Sequence, residues 1–251
     1  KQLKGTEKRD KYKVYGELIN TYGYNLEPGS KELTALNYYT NEEITIPLDP
    51  TQTPGENAQR YFAKYNKQKR TFEALTELIQ ETADDIQYLE SISNALDIAL
   101  SEADLAQIKE ELMQSGYIRR KHTKKKVKLT SKPMHYISSD GYDMYVGKNN
   151  LQNEELTFSF ANGNDWWFHA KGAPGSHVIV KSGGDELPDR TFEEAGRLAA
   201  YYSKNRGADK VEIDYIQKKH VKKPNGAKPG FVVYYTNYSL VIDSDISNIK
   251  N

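Results

Sequence analysis

Thr53-Pro54-Gly55-Glu56 is the sharpest punctuation in this chain, and the segment behind it restricts the fold more than any other feature. A Thr able to cap, a Pro at the first helical position and a Glu placed to reach back to the cap amide together predict a helix start. Beyond them, Ala58, Tyr61, Tyr65, Gln68, Phe72, Leu75, Ile79, Thr82, Ile86, Leu89, Ser93, Leu96 and Leu100 recur at three-four spacing and are polar only at Gln68, Thr82 and Ser93. That is the pattern of a coiled-coil seam. Helical throughout, it extends roughly 70 Å at ~1.5 Å per residue. A long core helix is the alternative, and the charged or polar faces away from the seam weigh against it.

The flanking segments read more modestly. Residues 1–22 form the end of a first coiled-coil helix, with Leu3, Val14, Leu18 and Ile19 on its apolar side; no cap and no initiator Met precede it, as expected of an excised piece. Residues 23–52 form a small middle β module, a hairpin of 35–39 and 44–48 around Asn41-Glu42. Residues 53–116 hold the second coiled-coil helix and a short helix capped by Ser101, with Leu105, Ile108 and Leu112 inward and Gly116 at its end. Residues 117–133 are a basic linker. Residues 134–251 form a separate domain with strands near 134–138, 143–147, 166–170, 177–181, 210–217 and 231–242, and a helix from about 190 to 205 capped by Asp189 or Thr191. The fold class is α+β: a long coiled-coil helical arm with a small β-hairpin module, followed by a compact α+β domain with a mainly antiparallel sheet. A first helix this short covers the seam only from about Ala58 to Ile79. Ile86, Leu89, Leu96 and Leu100 are left over, so self-association through the exposed seam is expected.

There is no cysteine, which excludes a disulfide framework, a thiolate metal site and a cysteine nucleophile, and suits a reducing, cytoplasmic setting. No stretch approaches the ~18 apolar residues of a membrane helix. The 35 basic and 35 acidic residues cancel, but they are not mixed. Arg60, Lys64, Lys67, Lys69 and Arg70 interleave with Tyr61, Phe62 and Tyr65, whereas from Glu73 to Glu111 the only base is Lys109. A second basic block holds Arg119, Arg120, Lys121, Lys124, Lys125, Lys126, Lys128 and Lys132. A third holds Lys218, Lys219, Lys222, Lys223 and Lys228, running through a Pro-Asn-Gly and Pro-Gly turn. Phosphate backbone is the partner such blocks attract; partner-helix ion pairs and a plain solvated linker are the alternatives.

The densest unusual segment is 165–180, Asp-Trp-Trp-Phe-His-Ala-Lys-Gly-Ala-Pro-Gly-Ser-His-Val-Ile-Val. Strand alternation sets Trp166, Phe168 and Ala170 on one face and Trp167, His169 and Lys171 on the other, with one tryptophan in the core and one exposed. An exposed aromatic beside Lys and His stacks a base and holds its phosphate, and His177 and Lys148 are placed in the same RNA-facing set. A purely structural hairpin is the alternative. His169, His177, Asp165 and Ser176 do not make a hydrolase or metal site on sequence grounds, because Ser176 lies in no nucleophile elbow and no H-E-x-x-H or H-x-H spacing occurs. Gly147-Lys148-Asn149 lacks the upstream Gly and the hydroxyl residue of a phosphate loop. The expectation is a binding protein, not an enzyme, with no catalytic residue, metal or cofactor.

Ile46-Pro47-Leu48-Asp49-Pro50, followed by Thr53-Pro54-Gly55-Glu56-Asn57-Ala58-Gln59-Arg60-Tyr61-Phe62-Ala63-Lys64-Tyr65-Asn66-Lys67, resembles the junction between the middle module and second coiled-coil helix of the NFACT family. Asp140-Gly141-Tyr142, Val146-Gly147-Lys148-Asn149-Asn150, Gln152-Asn153-Glu154, the 165–180 segment and Gly226-Ala227-Lys228-Pro229-Gly230 resemble its RNA-binding R module. The resemblance spans essentially the whole chain. It implies the arm and R module of a ribosome quality-control factor that binds obstructed large ribosomal subunits (rRNA and ribosomal proteins) and tRNA, and supports alanine tailing of stalled chains. The family's principal tRNA-recognition residues sit in an N-terminal domain outside this sequence, and the peptidyl transfer belongs to the ribosome. Some relatives are fibronectin-binding surface adhesins, which makes adhesion at the cell surface the runner-up.

Overall fold

The computed structural model describes residues 3, 8–119 and 130–251, which fall into two compact units, Lys1–Asp84 and Asp85–Asn251. In the first unit, helix α1 (Asp10–Tyr22) precedes an antiparallel hairpin of β1 (Glu32–Asn37) and β2 (Glu42–Pro47), and the long helix α2 (Pro54–Ile98) begins. The α2 start is the expected capping box. Glu56 N–H donates to Thr53 Oγ1 at 3.2 Å, and Thr53 N–H donates back to Glu56 Oε2 at 2.7 Å.

Alternation in β1 turns Leu33 and Ala35 inward, where they meet Leu18 and Ile19 of α1, Ile46 of β2, and Ala58 and Tyr61 of α2. Gly16 lets α1 close on α2: a Cβ there would lie 2.8 Å from the Phe62 ring. The three-four seam holds in this unit as far as Leu75, buried at Ala58 and Tyr61 and half-buried at Tyr65, Gln68, Phe72 and Leu75, with the Arg9 guanidinium 4.1 Å from the Phe72 ring centre; Ile79, expected to be covered, is exposed.

The second unit contains residues 85–98 of α2, α3 (Glu102–Gln114) and a six-stranded sheet in the order β3 (Met134–Ile137), β4 (Asp143–Val146), β6 (Val178–Val180), β5 (Trp166–Ala170), β7 (Val211–Gln217), β8 (Tyr238–Ile242). Every pairing is antiparallel. Helix α5 (Asp189–Tyr201) lays Ala195, Leu198 and Ala199 on one sheet face, against Met144, Phe168, Val178 and Ile213. The other face is covered where α4 (Asn150–Glu155) runs into a π-helical turn (Leu156–Phe160), whose Leu156 packs with Trp167, Ile179, Ile216 and Val221. No helix among the described residues is long and apolar enough to cross a membrane.

Several local expectations change. Of the strand expected at 231–242, only Tyr238–Ile242 is regular; the earlier part runs as an irregular segment held by backbone hydrogen bonds between Lys222 and Val233. The α5 cap is neither Asp189 nor Thr191. Pro188 occupies that position, and the Thr191 hydroxyl bonds Ser138 and Asp140 instead.

The inward face of α3 is also different. Leu105 is exposed, and the buried stripe is Asp104, Gln107, Ile108 and Glu111. On α2 in this unit, Tyr88, Ile92 and Ala95 are buried one residue ahead of the seam positions, and Ile98 two ahead of Leu100, while the seam's Ile86, Leu89, Leu96 and Leu100 remain exposed. The packed stripe includes Ser91 and Asn94, whose polar side chains bond Asn150 and the Tyr202 carbonyl. A mixed stripe of that kind is invisible to an apolar periodicity.

Candidate nucleic-acid interface

Helix α3 is held to the sheet domain by a buried polar seam. Asp104 accepts from Lys148 Nζ at 2.5 Å and from Ser131 Oγ at 2.6 Å, Gln107 accepts from Asn149 and Gln152 at 2.9 and 2.7 Å, and Glu111 accepts from Asn150 at 2.9 Å and Tyr88 at 3.1 Å. Burial by itself would raise the Asp104 carboxyl, but the bonds from Lys148, Ser131 and the Leu100 amide outweigh it and bring the pKa down to about 2. Lys148, expected to face RNA, is therefore engaged in this internal pair.

Glu111 behaves oppositely. Burial pushes its carboxyl above 4.5 despite the donors from Asn150 and Tyr88. The folded state thus holds this proton more tightly than the unfolded chain. Its contribution to stability is fully present below the ordinary carboxyl pKa and is lost as pH rises through the folded value. Glu111→Gln is accordingly expected to flatten the decline in stability as pH rises above the ordinary carboxyl pKa, read by urea unfolding across a pH series; an identical decline in the variant would place the titration elsewhere.

Among the lysines and arginines expected to meet phosphate, many already have partners. Arg60 pairs with Asp49 at 3.2 Å, Lys171 with Glu212 at 2.5 Å, Lys223 with Glu154 and Lys228 with Asp85; the Lys228 ammonium also lies 4.7 Å from the Tyr88 ring centre. Lys64 sits over the rings of Tyr12 and Tyr61. In the first unit, Lys67, Lys69 and Arg70 are exposed and make no ion pair among the described residues. In the second, Lys218, Lys219 and Lys222 are likewise unpaired among the described residues, around the short 3-10 turn Lys218–His220. Arg119 is exposed; Arg120, Lys121, Lys124, Lys125 and Lys126 lie outside the described residues.

The aromatic segment departs most from expectation. Trp167 was expected on the exposed face and is fully buried, because β5 is an inner strand with α5 on one side and α4 with its π turn on the other. His177 is also buried, its Nδ1 2.8 Å from Thr157 Oγ1 and its backbone N–H donating to Asn153 Oδ1 at 3.0 Å. Gly147 makes this possible, since a Cβ there would come within 2.1 Å of Asn153 Oδ1.

The rings are nevertheless brought together. Trp167 and His169 stack 5.7 Å apart at 13°, His177 stands edge-on to Trp167 at 5.2 Å, and Tyr234 lies 4.9 Å from it. They line a cleft of about 320 Å³ closed by Gln87, Glu90 and Ser91 of α2, Asn150 and Asn153 of α4, and residues 230–232. Burial lowers the His169 pKa, and burial with His169 alongside takes His177 down to about 3, so both imidazoles are neutral at physiological pH. Asp165 bonds Lys181 at 2.5 Å together with the amides of Asn162 and Ser182, fixing the turn before β5. Asn150, Asn153 and Tyr234 were missed by sequence reasoning. The tight Gly147 and the left-handed Gly230, at φ +80°, were the signals that backbone approaches closely there.

Residues 1–131 match the family profile described as NFACT N-terminal and middle domains, and residues 132–235 match the NFACT protein RNA binding domain. The chain belongs to the NFACT family. Similar members are Rqc2 homolog RqcH of Streptococcus pneumoniae serotype 2 strain D39, 43% identical over 252 residues with all of this chain and 45% of the relative covered, and Rqc2 homolog RqcH of Bacillus subtilis strain 168, 40% identical over 256 residues with 99% and 44% covered. The chain thus spans somewhat less than half the length of these curated relatives. Among solved structures it is similar to the C-terminal part of the fibronectin/fibrinogen-binding protein of Streptococcus suis, at 37% identity and a TM-score of 0.72, covering 99% of this chain and 90% of that one. Within the NFACT layout, the polar α3 seam, the lysines of the 218–222 turn and the aromatic cleft all belong to the second unit.

Proposed function

We propose that this chain is the RNA- and ribosome-binding part of a cytoplasmic ribosome quality-control factor, one that engages obstructed large ribosomal subunits and supports tRNA-dependent alanine tailing of stalled nascent chains. The match of residues 132–235 to an RNA binding domain carries it, joined with Lys218, Lys219 and Lys222 on that domain, which make no ion pair among the described residues. High identity to proteins named RqcH supports the ribosomal assignment. The chain's role is to hold, not to react: it supplies cations and an aromatic cleft, while bond formation is left to the ribosome.

Co-sedimentation of the full chain with purified subunits tests this. Retention on large subunits carrying peptidyl-tRNA, above that on empty large or small subunits, is the expected result; equal retention on all three would reduce the interaction to nonspecific charge. The likeness to a fibronectin/fibrinogen-binding protein supports a second reading, adhesion to fibronectin. Saturable fibronectin binding that resists salt would favour it, since contacts made only through surface charge are screened.

A further inference from the structure

Phe168, Tyr215 and Tyr238 are direct neighbours across β5, β7 and β8. Their rings form a column: Phe168 and Tyr215 stack 5.4 Å apart at 13°, and Tyr215 and Tyr238 5.5 Å apart at 27°, with Trp166 6.2 Å from Tyr238. The inner end is buried in the core beneath α5. The outer end is open, because β8 is the outermost strand among the described residues, and Tyr238 is 59% exposed. Just ahead of β8, Thr236 adopts the left-handed conformation at φ +57°, which a β-branched residue rarely takes, and Tyr235 before it is 74% exposed. A ring of this kind buries ~150–250 Å² when covered, so an occupant that covers it gains.

The same ladder carries the lysine turn. Tyr215 faces Tyr238, and further along Lys222 N–H donates to the Val233 carbonyl at 2.9 Å while Val233 N–H donates back at 2.8 Å. The segments between these two pairs, 216–221 and 234–237, are thereby held side by side. Lys218 and Lys219 lie in the first and Tyr235 in the second, and the Lys218 Cα is within about 11 Å of that of Tyr215 at 3.8 Å per residue. Asp189 is close enough to Tyr215 to act on it electrostatically, so a phosphate is drawn to the lysines and not to the rings.

We infer that Tyr235 and Tyr238 are a stacking platform for unpaired bases of a single-stranded RNA whose phosphates rest on Lys218, Lys219 and Lys222. Lysines attract the backbone of any nucleic acid; an exposed ring adds a contact that an unpaired base makes best, since a base inside a duplex already has its faces covered. The inference rests on the RNA-binding reading above and adds to it the form of the RNA and the residues that hold its bases.

The probes are a fluorescent six-nucleotide single-stranded RNA and the same backbone with abasic sugars, titrated against the full chain at several salt concentrations. Tyr235→Ala and Tyr238→Ala are each expected to weaken the base-bearing hexamer roughly 5- to 150-fold, the range for losing one stacked base. The salt slope is expected to stay the same, because stacking releases no counterion. Both variants are expected to bind the abasic hexamer like the wild type, and Tyr238→Phe, which keeps the ring, to bind both hexamers unchanged. Should Tyr238→Ala disturb the sheet, Tyr235→Ala decides, together with ultraviolet crosslinking of the wild-type chain, where adducts at Tyr235 or Tyr238 are expected. Undiminished binding of the base-bearing hexamer by both alanine variants, with adducts only elsewhere, overturns the platform and leaves RNA binding standing. Equal losses on the two hexamers also overturn it, since they would trace to the lysine turn and not to a base. Binding of neither hexamer by the wild type overturns both readings.

Discussion

Replacing Lys218, Lys219 and Lys222 together by glutamate should weaken single-stranded RNA binding by on the order of 100-fold at about 0.1 M salt and flatten the dependence of log affinity on log salt by about two. Each lysine that neutralises a phosphate on a single strand contributes roughly 0.7 to that slope through counterion release, and three of them contribute about two. These ammonium groups make no ion pair among the described residues, which leaves them available to phosphate. Lys223 and Lys228 serve as internal controls. Their partners are Glu154 and Asp85, so neutralising them takes fewer free cations from the surface and is expected to change the slope less. Titrations of wild type and triple variant at several salt concentrations read both quantities. A weakened affinity with an unchanged slope would place these lysines outside the interface.

Asp104→Ala is expected to destabilise the second unit by about 3–5 kcal/mol, because it leaves the Lys148 ammonium buried without its counter-charge. The matched double replacement, Asp104→Leu with Lys148→Met, removes both charges and is expected to recover most of that loss. The acid limb follows from the same pair. The folded carboxyl titrates at about 2, below its ordinary 3.8, so its contribution is present above pH 4 and disappears as pH falls towards 2. Denaturant unfolding of the single and double variants near pH 7, and of the wild type down the acid range, measures all three. A single variant as stable as the wild type would show that Lys148 reaches solvent when released.

The sequence by itself determined the elements whose signals are local. The Thr53 capping box and the seam from Ala58 to Leu75 are readable because capping and helical periodicity act within a few turns. The strands β3 to β7 are equally legible from their Tyr, Val and Ile content, and the antiparallel α+β class follows from their order. The family-bearing segments likewise pointed to the RNA-binding domain. Tertiary structure alone decided which members of those segments face a partner. Trp167 alternates with Trp166 in any strand, but whether its face is open depends on residues 150–160 and 221–234 folding over it, a long-range event without a local signature. Lys148, Lys223 and Lys228 look like the unpaired Lys218 in sequence; their difference lies in Asp104, Glu154 and Asp85, brought near from elsewhere in the chain. The buried face of α3 was misread for the same reason, since Asp104, Gln107 and Glu111 are polar residues whose burial becomes favourable only once Lys148, Asn149 and Asn150 meet them there.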